Sequence, residues 1–121
     1  PSLTRLLTRW CAATLQKQRD GRHVAFSSMQ CNFNYRAAPH VDANNIGLSY
    51  IRSLGAHSGG GLWTQDRGVL DCRAGWRVFD GTREHATEPF HLVAASKRWP
   101  GERISVILFT HQLYNQVPPD V

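Results

Sequence analysis

Turn-forming residues interrupt this chain at short, nearly even intervals, and that limits what it can fold into. They stand at Ala38-Pro39, Asn44-Asn45-Ile46-Gly47, Ser58-Gly59-Gly60-Gly61, Arg67-Gly68, Ala74-Gly75 and Asp80-Gly81. Short apolar runs lie between them: Leu48 to Leu54, Leu62-Trp63, Val69-Leu70, Trp76 to Phe79, and the clearest, Ile104 to Phe109. His23 to Phe33 is a mixed run of the same kind, ending near Tyr35. Many short strands at this spacing predict a mainly β fold, a sandwich or barrel. The chain has no internal repeat and no low-complexity segment.

With 121 residues there is room for one domain, burying about two-thirds of its unfolded surface. Hydrophobic residues are 41% and charged residues 19%, which excludes a disordered chain. No apolar run approaches the ~20 residues of a membrane span. The first residue is Pro1 rather than Met, so a fragment or trimmed domain is expected, from which targeting signals could have been lost. Cys11, Cys31 and Cys72 are odd in number and widely spaced, against a zinc ribbon or a disulfide framework. Each is expected to act as a small buried hydrophobe in a reducing, intracellular setting, cytoplasmic or nuclear.

Four of the five net positive charges fall in residues 1–22, where Arg5, Arg9, Lys17, Arg19 and Arg22 face only Asp20. Leu3, Leu6, Leu7 and Trp10 recur at helical spacing. An N-terminal amphipathic helix with a basic outer face follows, capped by Ser2 or Thr4 and ended by Gly21. It can contact a phosphate backbone, or pack on the outside of the sheet with its basic face solvated. The expected organisation is this helix over 1–22, a β core over 23–111 and a surface tail over 112–121.

The chemistry-bearing residues form an ordered set. In His40-Val41-Asp42, a strand would turn His40 and Asp42 to one face and Val41 to the other, into packing. Six His and six Asp in 121 residues place roughly 0.3 such pairs in a chain by chance, so the pair alone is a weak signal. A third ligand has to come from a distant strand. His85, 43 residues after Asp42, leaves room for about three or four strands between. Two His and a carboxylate bind one face of an iron(II) ion and leave the opposite face open. Arg103 precedes the Ile104 to Phe109 run, and Ser105 shares its face. A guanidinium and a hydroxyl so placed can grip a carboxylate.

Asn32 and Asn34 lie just before the H-x-D segment on one face. They can donate to the near carboxylate of a cosubstrate or to a substrate, or cap a turn and ladder. Arg103 has a plainer alternative too, a surface ion pair with Glu102 or Glu88. Trp63, Trp76 and Trp99 are expected in the core or at its rim. Gly59 to Gly61 is no phosphate loop, because no Lys-Ser/Thr follows it. His23, His57 and His111 have no partner at ligand spacing.

On these residues the chain resembles the iron(II)- and 2-oxoglutarate-dependent dioxygenases, whose fold is a double-stranded β-helix, a jelly-roll barrel. Their pattern is H-x-D, a distal His, then Arg-x-Ser or a similar pair. The resemblance spans about residues 23–111. It is nearest to a prolyl-4-hydroxylase-like branch and to the nucleic-acid-modifying branch related to TET and JBP. It implies iron(II) on His40, Asp42 and His85, with 2-oxoglutarate held by Arg103 and Ser105 and assisted by Asn32 and Asn34. The implied reaction hydroxylates a C–H bond with O2 and releases succinate; ascorbate is admitted as a supporting reductant. The distal His and Arg stand 18 residues apart here, farther than in the family, with Leu92 to Pro100 inserted. His91 therefore competes as third ligand. Phe79-Asp80-Gly81 before His85, and Thr87-Glu88-Pro89-Phe90 after it, fit the family pattern and favour His85.

The TET/JBP-like context and the basic leader point to a DNA or RNA base as substrate, with a prolyl or other peptide side chain as alternative. An inactive double-stranded β-helix serving as a binding module, and a cupin-like metal protein of other chemistry, are the remaining alternatives. Only neutral imidazoles ligate a metal, so activity is expected to fall at acid pH.

Overall fold

The computed structural model describes residues 2–112. The tail expected over 112–121 therefore lies, Gln112 apart, outside the described residues. Among these are one helix, α1 (Leu3–Gln18), and nine strands. The strands are β1 (Ser28–Phe33), β2 (Ser49–Leu54), β3 (His57–Gly59), β4 (Leu62–Thr64), β5 (Gly68–Leu70), β6 (Arg77–Phe79), β7 (His85–Thr87), β8 (Phe90–Leu92) and β9 (Ile104–Phe109). The protein is mainly β with one N-terminal helix. No helix among the described residues is long and apolar enough to cross a membrane.

Strands β1-β9-β2-β6 form a four-stranded sheet, β5-β4-β7 a three-stranded sheet and β3-β8 a pair, all antiparallel. The longest apolar run, β9, sits inside the large sheet because both its edges are paired. Alternation along β9 separates two environments. Val106 and Leu108 point outward to a core shared with Cys11, Leu15 and Trp76. Ser105, Ile107 and Phe109 point inward, toward a cleft. A second core of Ile51, Leu62, Leu70, Cys72 and Phe79, with Ile107 against it, joins the sheets on that inner side.

The helix starts as its sequence predicts. The Ser2 hydroxyl accepts from the Arg5 amide at 3.1 Å, satisfying one otherwise orphaned donor. At the other end the Gly21 amide reaches back to the Gln16 carbonyl, and Gly21 has φ +80°, a conformation only glycine adopts freely. The buried face differs from the expected one. Leu3 is 80% exposed, and Leu6 and Trp10 are also exposed. The sheet instead receives Leu7, Cys11 and Leu15, spaced by four. Trp76 sets this register. Its indole donates to the Thr14 hydroxyl at 3.0 Å, and its backbone exchanges two hydrogen bonds with the Gln18 amide at 2.6 and 2.7 Å. These contacts draw the C-terminal half of α1 down and leave the first turn free.

All three cysteines are free. Cys11 and Cys72 fill the two cores, whereas Cys31 is exposed on β1, against the expectation of burial.

Candidate metal centre

His40 and Asp42 approach the site from the loop before β2, and His85 opens β7. The strand geometry assumed for His40 to Asp42 is not what forms. In place of a strand there is a single bridge, His40 to His85, with both of its backbone hydrogen bonds at 3.0 Å. The Asp42 amide then donates to the Gly81 carbonyl at 2.8 Å. Gly81 leaves space for this approach, since a Cβ there would meet the Asn45 amide at 3.0 Å and the Asp42 carboxylate at 3.5 Å. Val41, expected in packing, is 52% exposed. Five strands, β2 to β6, fill the 43 residues before His85, more than expected because four of them have only three residues.

One ligand atom from each of His40, Asp42 and His85 lies within 4.8 Å of the others. His85 Nε2 stands 3.2 Å from one Asp42 oxygen, and His40 Nε2 stands 3.8 Å from the other. Each imidazole is oriented by its second nitrogen. His40 Nδ1 bonds the Ala38 carbonyl at 2.7 Å, and His85 Nδ1 bonds the Arg83 carbonyl at 2.8 Å. A carbonyl accepts only, so in each neutral ring the proton sits on Nδ1 and the Nε2 lone pair faces the triad. This is the outer-shell arrangement that metal-binding histidines use. The rings lie 4.3 Å apart, and Phe79 packs on His85 at 5.1 Å. Burial is graded: the His85 side chain is 5% exposed, while those of His40 and Asp42 are near 44%. The triad thus has a closed side and an open one. Two imidazoles and one carboxylate could hold a divalent metal ion and would leave one face of it open.

His91, the rival third ligand, is exposed on β8 opposite Ser58, away from this cluster.

A cleft of about 740 Å³ opens at the triad. Asn32 and Ser105, directly paired across β1 and β9, share its wall with Tyr35, Ile107 and His111. Asn34 does not face it. Its φ of +49° breaks the strand alternation, and its side-chain oxygen accepts from the Arg103 amide at 2.7 Å. Asn34 is therefore a ladder cap, the alternative the sequence left open for it. A second groove of about 530 Å³ shares Ala37 to Pro39, Ala86 and Thr87 with the first and runs past Trp63 and Pro89.

Arg103 is 1% exposed, not the surface residue that an ion pair with Glu102 or Glu88 would require. Its Nη2 donates to the Gly60 carbonyl at 2.8 Å and its guanidinium lies 5.2 Å from the Phe90 ring. Its Nε has no partner, and no carboxylate pairs with it among the described residues. Burial pushes its proton affinity down, with Cys72 acting the other way. The Cys72 thiol is itself pushed up by burial, which keeps it neutral, so no anion offsets the charge.

Gly60 makes this placement possible. A Cβ there would stand 2.5 Å from Arg103 Nε and 3.0 Å from its Cδ, and Gly60 has φ +77°. Gly60→Ala is expected to cost about 1–2 kcal/mol from the left-handed backbone alone. It should also displace Arg103, so that any carboxylate gripped by the guanidinium would bind more weakly while metal affinity at the triad stays unchanged. Calorimetric titration of each ligand checks this.

His57, set aside in the sequence, turns out to be 7% exposed beside Arg103. Burial first, and the Arg103 charge next, hold its imidazole below the usual range, with a backbone hydrogen bond to Gly59 acting the other way. Nothing in the local sequence marks it. Its burial comes from pairing with Leu92, 35 residues away.

Comparison with protein-family models, curated proteins and solved structures finds no match.

Proposed function

We propose that the protein is an iron(II)- and 2-oxoglutarate-dependent dioxygenase built on a double-stranded β-helix. The observation that carries this is the pairing of two unfinished features on one sheet system. An open His-Asp-His triad lies at the cleft, and a buried guanidinium without a counter-ion lies two residues from the cleft-lining Ser105. A buried cation lacking an anionic partner is costly, and an anionic cosubstrate relieves that cost. The large sheet facing the smaller ones across a shared core supports the jelly-roll assignment.

Bound iron(II) supplies hydroxylation of a substrate C–H by dioxygen, coupled to decarboxylation of 2-oxoglutarate to succinate. The protein's part is placement. The Ala38 and Arg83 carbonyls keep both Nε2 lone pairs directed at the metal position. Arg103, with Ser105, holds the far carboxylate of the cosubstrate. Phe79, against His85, excludes water from the closed side, which strengthens every electrostatic contact there.

For the substrate, α1 offers no support for a nucleic acid at the cleft, because it covers the opposite face of the large sheet. The adjoining groove is bordered by Arg36 against Glu84 and Glu88, an acidic balance that suits a peptide better than a phosphate backbone. A peptide side chain is therefore favoured over a base.

The test is anaerobic. Iron(II) followed by 2-oxoglutarate should give the weak visible charge-transfer band of a chelated 2-oxo acid, and His40→Ala should abolish it. Iron binding without the band would support a cupin-like protein instead. A folded sample that takes no iron would leave a binding module. Succinate release with proline-containing peptides, compared with DNA and RNA oligonucleotides, separates the substrate classes.

A further inference from the structure

Helix α1 carries two apolar faces and needs only one of them to pack. Leu7, Cys11 and Leu15 meet the sheet. Leu3, Leu6 and Trp10 do not, and remain 80%, 49% and 39% exposed. At 3.6 residues per turn these three fall within an arc of about 60°, one stripe along about two turns. A single exposed leucine is ordinary, but three large apolar side chains in a row form a patch of the kind that marks an interaction site. Its surroundings are basic. Arg5 and Arg9 are exposed on the side beyond Leu6, and Lys17 lies about two turns past Trp10 on the line of the stripe. The Arg52 guanidinium, from β2, stacks over the Trp10 ring at 5.3 Å. It holds the indole at the edge of the stripe and adds a further cation there. Among the described residues no acidic side chain pairs with any of these four cations. The only acid in residues 1–22 is Asp20.

We propose that this stripe docks α1 onto an anionic lipid bilayer, with the helix lying in the plane of the surface. Leu3, Leu6 and Trp10 enter the boundary between headgroups and acyl chains, while Arg5, Arg9, Lys17 and Arg52 meet the anionic headgroups. The combination decides the partner. Helices that lie on membranes join an apolar stripe to flanking cations and set tryptophan at headgroup level. A nucleic-acid backbone would use the cations but leave the leucines in water, because its phosphates are contacted by charged and polar groups. A second copy of the chain would cover the leucines but bring like charges together. An anionic bilayer satisfies both halves of the surface. Arginine and lysine suit its boundary, since their methylene stems lie on apolar surface while the charged ends reach the headgroups. Docking is along the surface rather than through it: α1 has 16 residues, and no described helix is long and apolar enough to cross. The helix covers the outer face of the large sheet, whereas the triad cleft opens on the inner one. Docking therefore leaves the cleft open to solvent and does not depend on what the triad binds.

Vesicle sedimentation with the 121-residue protein tests this. Vesicles of equal parts phosphatidylcholine and phosphatidylserine should carry the protein down, and pure phosphatidylcholine should hold much less. Leu3→Ser combined with Leu6→Ser should weaken partitioning about tenfold or more, the loss expected for two leucines leaving an apolar boundary. Arg5→Gln combined with Arg9→Gln should weaken it about 30-fold, the worth of two cations at an anionic surface. All four side chains are exposed, so the thermal midpoint should stay where it is in wild type. Phosphatidylcholine brominated along its acyl chains, mixed with phosphatidylserine, should quench wild-type tryptophan fluorescence, and quench Trp10→Phe much less. Wild-type partitioning in the double-serine variant, or equal quenching in Trp10→Phe, overturns the proposal. So does a protein that ignores vesicles: oligonucleotide binding lost with the arginines but kept without the leucines would make α1 a phosphate-contact helix. A dimer that the double-serine variant cannot form would make the stripe an interface between copies.

Discussion

Asp42→Ala is expected to abolish iron-dependent turnover and leave the fold intact. The carboxylate is the only anionic member of the triad and stands 3.2 and 3.8 Å from the two Nε2 atoms. Losing a mere outer-shell partner of a ligand costs about 10–100-fold in metal affinity or activity, so losing the charged ligand should cost more. Stability should hardly change. The Asp42 side chain is 44% exposed, and what anchors the segment is its amide bond to the Gly81 carbonyl, which alanine keeps. A shift within about 0.5 kcal/mol is normal for such a site. Thermal melts and iron titration on one sample separate the two effects. His85→Ala and His91→Ala complete the series. The first removes a buried ligand whose Nδ1 is already committed to Arg83, and metal binding should go with it. The second removes an exposed side chain on β8, and metal binding should stay. Unaltered turnover in Asp42→Ala would remove the metal assignment.

The same residues show how far the fold can be read from the chain. β2 and β9 are legible because six residues of alternating or apolar pattern accumulate enough signal. β3, β7 and β8 are not, because three residues carry no period, and their strand character comes from partners 21 to 35 positions away. His40, Asp42 and His85 come together as their order suggests, but for a different reason. The i, i+2 rule assumed a strand, whereas one isolated bridge and the room at Gly81 hold the segment. The face of α1 was obscured by Leu3 and Leu6, apolar residues that extend past the sheet. What orients the helix is Trp76, about 60 residues downstream. The least legible part is the Arg103 environment. Arg-x-Ser can be seen in the sequence, but not that Gly60 makes room for the guanidinium or that His57 is buried beside it.

These observations assign different duties to the two halves of the site. The triad is half open and held by local backbone bonds, so its ligands can be exchanged with little effect on folding. Arg103 lies inside the protein, and its unpaired charge is a standing cost to stability. A group kept for structure and a group kept for a ligand should therefore respond in opposite ways to removal.

Arg103→Met tests that distinction. Were Arg103 structural, its loss would destabilise the protein, as breaking a buried ion pair does by several kcal/mol. Here there is no pair to break. The guanidinium is 1% exposed, its Nε is unpartnered, and its one hydrogen bond among the described residues is to the Gly60 carbonyl. Methionine keeps much of the volume and the apolar stem, removes the desolvated charge, and leaves one carbonyl to find another partner, a loss of about 1–3 kcal/mol. Relief of the buried cation opposes that loss. The thermal midpoint without ligands is therefore expected to hold or rise. Binding should change the other way. Truncating one partner of a buried charge pair costs about 2–5 kcal/mol, so the KM for 2-oxoglutarate should rise roughly 30-fold or more, with iron affinity untouched. Arg103→Lys should fall between, keeping the charge but losing the planar fork. A variant with a sharply lower midpoint and an unchanged KM would make Arg103 a packing residue. A steady midpoint with a collapsed affinity would identify a charge that the fold carries for the cosubstrate alone.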